Sequence, residues 1–497
     1  MATRDDVTQA DTTGVGLERR AVGLPTAIAT TFGLIVASTV LYTVVSGFAL
    51  SYTWLVALGI ALVAMYLQSM SFAELATMIP RAGSMNEYVR AAFGAFFGTL
   101  TVLMGYIAIQ LFPGTAESYI PGVVIHDILG ADFFSVDVWI VLVVATVAVV
   151  NVLGVRPYGA VEVMLTVAVA ASAAIIGLIG LFGLGTNDPI GSALPDIGGL
   201  SWGGEAGLAG LLGLAIFAFV GMEYTCPLAE ELENPSRDIP LGIFLGLGLV
   251  AVPMILLGLA AARYVPAEEL GAFAPTAHID VATAILGGTG KWWMAFVSIA
   301  ATLSTLNALI AGIPRILYGM GLTGQLPRFF SYLLPATRAP VVGIALVALI
   351  PIVMNLLVEP TSATFLSLIL AGVLGWATAY ILIHMAQMAL RVRAPELPRP
   401  FRSPLFPVPQ LVGMGLLALA AYKLFPVPEI KEDAYRYYLY FLATAVGASL
   451  LYNLIAYRSL AALFRPIPVE EVRREAELVA ADVPPPSEGG AVRHDRP

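Results

Sequence analysis

Twelve long apolar stretches follow one another along this chain: 24–50, 53–78, 93–119, 134–155, 160–184, 207–229, 240–263, 292–318, 340–358, 361–390, 405–425 and 435–458. Each matches the roughly 20 residues needed to cross the hydrocarbon core of a bilayer. Repetition on this scale leaves few folds open, because lipid offers backbone amides no partner and only helices or closed barrels can cross it. Segments this long read as helices, so the expected fold is an all-α polytopic membrane protein of about twelve transmembrane helices. Composition agrees: 58% of residues are hydrophobic, 12% are charged and mean hydropathy is +0.85, which excludes a soluble globule of ordinary make-up.

The sixth stretch is interrupted at its centre by Phe217-Ala218-Phe219-Val220-Gly221-Met222-Glu223. A helix-breaking glycine beside an acid at mid-membrane depth points to a cavity rather than to lipid. A broken helix carrying a carboxylate is what a secondary transporter needs to hold a polar solute halfway across.

Basic residues set the expected orientation. With both termini cytoplasmic, 20 of the 25 Lys and Arg fall on the inner side, leaving Arg263, Lys291, Lys423, Lys431 and Arg436 outside. That asymmetry is the positive-inside pattern of a multi-pass protein of the cell (plasma) membrane. The net charge of −9 comes largely from outer loops such as 120–133 and 185–206 and from the tail, and it suggests no nucleic-acid partner. The polar N-terminus lacks the basic n-region and cleavage site of a signal peptide, so the first stretch is expected to stay in the mature protein. The charged, proline-rich end 466–497 is expected to be disordered or weakly helical. The single cysteine, Cys226, rules out an internal disulfide; it reads either as a substrate-lining thiol or as packing beside the helix break.

Three polar-edged motifs sit at the inner ends of spans. Glu74-Leu75-Ala76-Thr77-Met78-Ile79-Pro80-Arg81-Ala82-Gly83 runs on to Tyr88 and Phe93-Gly94. Glu230-Glu231-Leu232-Glu233-Asn234-Pro235-Ser236-Arg237-Asp238-Ile239-Pro240 ends the sixth span and opens the seventh. Pro314-Arg315-Ile316-Leu317-Tyr318 precedes Gly324-Gln325-Leu326-Pro327. In combination these blocks resemble the amino acid–polyamine–organocation (APC) superfamily of transporters, amino acid permease type, over roughly residues 22–460.

The resemblance implies a 5+5 inverted repeat (LeuT-like) with two additional helices behind it. Residues 1–23 would form a cytoplasmic tail and 24–460 the transporter domain. Repeat one would cover 24–184, repeat two 207–390 and the extra helices 405–458, with 461–497 a disordered cytoplasmic tail. Helices one and six would be unwound at the centre, and substrate would lie between them, flanked by helices three, eight and ten. Carried over by position, Phe217 is implied as an aromatic gate over the substrate, with Ala218 and Phe219 beside it. Gly221 is implied as the break, and Glu223 as the buried acid that couples movement around it. A structural reading of Glu223, capping freed amides, stands beside that one.

The first span departs from the family signature, Gly-Ser-Gly, with Ala37-Ser38-Thr39. Side chains there narrow the approach of a substrate carboxylate to the backbone. Either the Ser38 and Thr39 hydroxyls bind substrate themselves, or the carboxylate subsite is reduced and the substrate shifts toward amines; an intact helix with back-bonded hydroxyls is the plain alternative. Many proton-coupled relatives carry a lysine in the fifth helix. Alignment puts Ala168 or Val169 there, and that helix has no lysine. A lysine-dependent proton symport is therefore not expected, while exchange (antiport), facilitated flux and sodium coupling stay open. No cofactor is expected beyond Na+ or H+ as a coupling ion, with Thr302, Ser304 and Thr305 as candidate sodium ligands. Membrane hydroxyls otherwise bond their own or a neighbouring helix.

Further polar groups share faces. Tyr106 and Gln110 are four apart on the third helix, and Trp376, Tyr380, His384 and Gln387 form one stripe on the tenth. Tyr106, Gln110 and Trp376 join the candidate lining, while His384 reads best as helix-packing glue. Glu162 is matched with Arg156 or Arg81 as a gate contact. Glu117 either draws cations at the outer end of helix three or faces water. The chain contains no His-Glu-x-x-His, no Gly-x-Ser-x-Gly and no phosphate loop, so neither an enzyme nor an ATP-driven pump is expected. The leading expectation is a permease for amino acids or related amines working by alternating access in the lipid bilayer. A polyamine or amine transporter, and a nutrient sensor with little transport, are the alternatives; oligomeric state is left open.

Overall fold

A computed structural model describes residues 16–50, 53–191 and 207–472. The distal parts of the expected polar tails, 1–15 and 473–497, and the acidic loop residues Asp196 and Glu205 lie outside the described residues. Within them the regular structure is helical, apart from one isolated bridge between Val22 and Leu232.

Eight helices are long and apolar enough to cross a membrane, Leu24–Ile35 and Ser38–Gly47 form a bent pair, and Val136–Val152, Val341–Leu357 and Val408–Lys423 are shorter apolar helices. Taken in order they fall on the twelve apolar stretches. Thr53–Met78 matches its expected span end to end. The eighth is the largest departure, running from Ala277 to Leu322 rather than from residue 292. Gly287, Gly288 and Gly290 look like a loop in sequence. The outer segment instead buries His278, Ile279, Val281, Ala282 and Ile285, and joins the span across a kink at Gly287 (φ 61°, ψ −144°). The twelfth span starts early, at Pro428, because its first turns are charged and stand clear of the apolar stretch.

The first half-helix, Leu24–Ile35, packs against the fifth, seventh and eighth spans and the second half of the sixth. Small residues allow the approach: a Cβ on Gly242 would lie 2.8 Å from that of Ala27, and one on Gly246 2.6 Å from the Thr31 methyl. The last two spans lie on the outside. The twelfth buries only Ala434, Ala445, Ser449 and Asn453 among 30 residues. Its Leu439, Leu451 and Ile455 are exposed, as are Val149, Phe296 and Leu349 elsewhere, so the apolar surface wraps a polar-containing interior.

The polar-edged motifs meet at one end of the bundle. Glu74 accepts from Arg391 at 2.6 Å, from Arg399 at 3.2 Å and from the Ser403 amide at 2.8 Å. Glu231 pairs with Arg315, both buried. Glu230 accepts from the Ala82 amide at 3.0 Å, and Asn86 and Gln325 exchange hydrogen bonds at 2.7 and 3.1 Å. Buried charges of opposite sign are paired here, which is the condition for keeping them out of water.

Candidate functional site

The first span is interrupted after Ile35. Val36 (φ −81°, ψ 33°) and Ala37 (φ −55°, ψ 152°) leave the helix, the halves bend by 55°, and the chain restarts at Ser38. A restarting helix has free amides. Those of Ser38 and Thr39 donate to the two oxygens of Glu117, at 2.9 and 2.8 Å. The Thr302 hydroxyl donates to the same carboxylate at 2.5 Å, and Ser38 Oγ donates to the Ser298 carbonyl at 2.6 Å. Glu117 is 1% exposed, so it does not meet water or free cations at a surface. The third helix itself turns it inward: Phe112 (φ −102°, ψ −83°) breaks that helix and Pro113 restarts it, with Glu117 one turn further on.

The sixth span stops at Phe217 and resumes as a 3-10 segment, Met222–Leu228. Gly221 has φ +115°, where L side chains are strained, and a Cβ there would lie 2.9 Å from Leu34 Cγ and closer still to its Cδ2. The two breaks are therefore in contact. Glu223 accepts from Trp376 Nε1 at 3.1 Å and from the Tyr380 hydroxyl at 2.6 Å. The rings of Phe217 and Trp376 lie 6.5 Å apart, tilted by 47°. Phe217, Ala218, Phe219 and Gly221 are all buried. Thr31 donates to the Met222 carbonyl at 3.2 Å, and Thr225 to that of Ala27 at 2.8 Å, stitching the second half of the sixth span to the first half of the first.

The other sequence-predicted residues divide. Trp376 joins Phe217 and Glu223, and Tyr380, read only as a stripe member, proves to be the shorter of the two contacts to Glu223. Tyr106 sits in a π-helical turn, Leu103–Ile107, with its ring edge-on to Tyr224 at 5.0 Å. Gln110 points elsewhere and donates to the Val347 carbonyl of the ninth span at 2.8 Å. Thr302, Ser304 and Thr305 are each engaged: Thr302 with Glu117, Ser304 with Glu162 at 2.7 Å, Thr305 with the Gly33 carbonyl at 2.9 Å. Glu162 also accepts from Asn307 at 2.7 Å; Arg156, one of its expected gate partners, instead donates to Glu18 at 2.6 Å. His384 lies 2.8 Å from Ser71 and so ties the tenth span to the second. Among the described residues no three His, Cys, Asp or Glu side chains converge as metal ligands. A cleft of about 590 Å³ lies away from the breaks, beneath the start of the first span, lined in part by Thr26, Arg156, Glu233 and Asp238.

Two broken spans in contact, buried acids at both breaks and an aromatic cover define a polytopic transporter of the broken-helix class. The amino acid permease family is matched by residues 22–449, and the chain belongs to that family. It is a secondary transporter, not an enzyme. It is 24% identical to the serine/threonine exchanger SteT of Bacillus subtilis (strain 168), over 71% of this chain and 77% of that one. It is 26% identical to the vacuolar cationic amino acid transporter 4 of Arabidopsis thaliana, over 57% of this chain but only 49% of that relative's length. In architecture it is similar to Mhp1, a nucleobase-cation-symport-1 family transporter solved in a closed conformation with bromovinylhydantoin bound. That likeness has a TM-score of 0.55 and 17% identity, and covers 94% of this chain and 99% of that one.

Proposed function

We propose that this chain moves amino acids or related amines across the plasma membrane by alternating access, as an exchanger, with both termini cytoplasmic. Cargo binds where the two breaks touch, under Phe217 and Trp376 and beside Glu223. The single observation that supports this most is the contact of Gly221 with Leu34: two interrupted helices meet at one point inside the bundle, beside the buried Glu223. Residues 24–184 and 207–390 act as the two repeats, and the helices within 405–458 as an outer support. Thr302, Ser304 and Thr305 serve as structural donors in the resting arrangement, and exchange of cargo rather than sodium drives the cycle.

Counterflow in proteoliposomes tests the reading. Purified protein preloaded with unlabelled solute is expected to accumulate labelled solute, equally well when sodium is replaced by choline. Binding without flux would establish a sensor instead. Strict sodium dependence would return the three hydroxyls to an ion site.

A further inference from the structure

The amides that open a half-helix inside a membrane protein are a natural place for the anionic group of a bound solute. In this chain that place is taken. The Ser38 and Thr39 amides go to opposite oxygens of Glu117, and the Thr302 hydroxyl takes up a further lone pair of the same carboxylate. A second carboxylate at this point would face Glu117 as a like charge and find no free amide.

The rest of the neighbourhood favours positive charge. The donors that hold Glu223 are neutral: Trp376, Tyr380 and nearby backbone amides. Among the described residues no lysine is buried, and the arginines with buried side chains, Arg315 and Arg399, are engaged by Glu231 and Glu74 at the far end of the bundle. Tyr106 and Tyr224 pack against each other beside Glu223, and both phenol oxygens are buried without a hydrogen-bond partner. Acids, ring faces and unpartnered phenol oxygens suit an ammonium group. Among the described residues no buried lysine or arginine side chain stands at the breaks to answer a carboxylate.

Building on the transport reading above, we propose that Glu117 is a specificity-determining residue: it stands in for the cargo's carboxylate at the first break, so the cargo is an organic amine cation that carries no carboxylate. An α-amino acid would have to evict Glu117 from its amides. An amine of the same skeleton meets no such barrier.

Matched pairs that differ only by the carboxylate test this: 1,5-diaminopentane against lysine, and phenethylamine against phenylalanine. Binding is read by thermal shift on the purified full-length chain and transport by counterflow in proteoliposomes. The wild type is expected to bind one amine at least about tenfold tighter than its carboxylated partner, the scale of one charge-assisted hydrogen bond. Glu117→Ala is expected to erase that preference, and added acetate to restore it by refilling the vacated position. A carboxylate that served only to hold the fold would leave the preference unmoved. Glu117→Gln keeps the shape and is expected to reduce the preference partway, which covers failure of the alanine variant to fold. A wild type that prefers lysine or phenylalanine would overturn the assignment of Glu117 and leave transport standing. So would a preference unchanged in both variants, or failure of every amine to bind. Amine binding with no counterflow would instead leave Glu117 its role and overturn transport.

Discussion

The two breaks solve one problem in opposite ways. At the sixth span the chain supplies its own acid: Glu223 lies two residues after Gly221, and the surrounding helices bring donors to it. At the first span the chain supplies bare amides, and another helix brings the acid, Glu117, from 79 residues beyond Ser38. The backbone differs in the same sense. Gly221 occupies a left-handed conformation (φ +115°), whereas Ala37 (φ −55°, ψ 152°) is in an extended region open to any residue. One break depends on its glycine and the other on a distant carboxylate, so similar substitutions at the two should have unequal effects.

The largest effect is expected from Gly221→Val. A β-branched side chain is strained at that φ and collides with Leu34, so counterflow should be lost while the protein still inserts; wild-type flux in this variant would place the functional break elsewhere. Glu223→Gln comes next. The amide turns one of its NH2 hydrogens toward Trp376 or Tyr380, leaving a buried donor unpaired at a cost of about 1–3 kcal/mol. Exchange should fall by about tenfold or more, and thermal stability should drop with it. Phe217→Ala removes a ring from the cover. For a cationic cargo the Michaelis constant should rise by about twofold to thirtyfold, the worth of a cation–π contact of about 0.5–2 kcal/mol, and an unchanged constant would remove Phe217 from the gate. The smallest effect belongs to Ala37→Gly, where no special conformation is at stake. Stability should fall by no more than about 1 kcal/mol, with flux close to wild type; a large gain or loss of flux would mean that the Ala37 methyl shapes the site.

How much of this was legible in the sequence follows the same division. Crossing helices are a bulk property of long apolar stretches, so span number and order survive uncertainty at every boundary. Gly221 and Glu223 stood out because they are exceptions inside such a stretch. Glu117 did not, because nothing near it in sequence shows that Phe112 and Pro113 turn it inward, and its partners come from the first and eighth spans. Glu162 was misassigned for a related reason: local spacing offered Arg156, while the fold supplied Ser304 and Asn307 from far along the chain. The outer part of the eighth span was hidden by its glycines, since periodicity weak enough to resemble a loop can still bury one face of a helix.

The threonines that stitch the two breaks together carry a mechanical consequence. Thr31 and Thr225 bind the first half-helix to the 3-10 segment, and the Ala21 and Glu233 amides add backbone bonds to Glu231 and Val22 at 2.8 and 2.9 Å. Toward the rest of the bundle that half-helix packs on the fifth, seventh and eighth spans and adds single hydroxyl contacts: Thr30 with Tyr158, Thr166 with the Ala29 carbonyl and Thr305 with that of Gly33. Each such bond is worth only about 1 kcal/mol net. Any motion that keeps these two segments together therefore has to shear that helix packing as well as break the hydroxyl contacts. The hydroxyls fix the register of that joint, while the small residues at Gly242 and Gly246 set how closely it can seat.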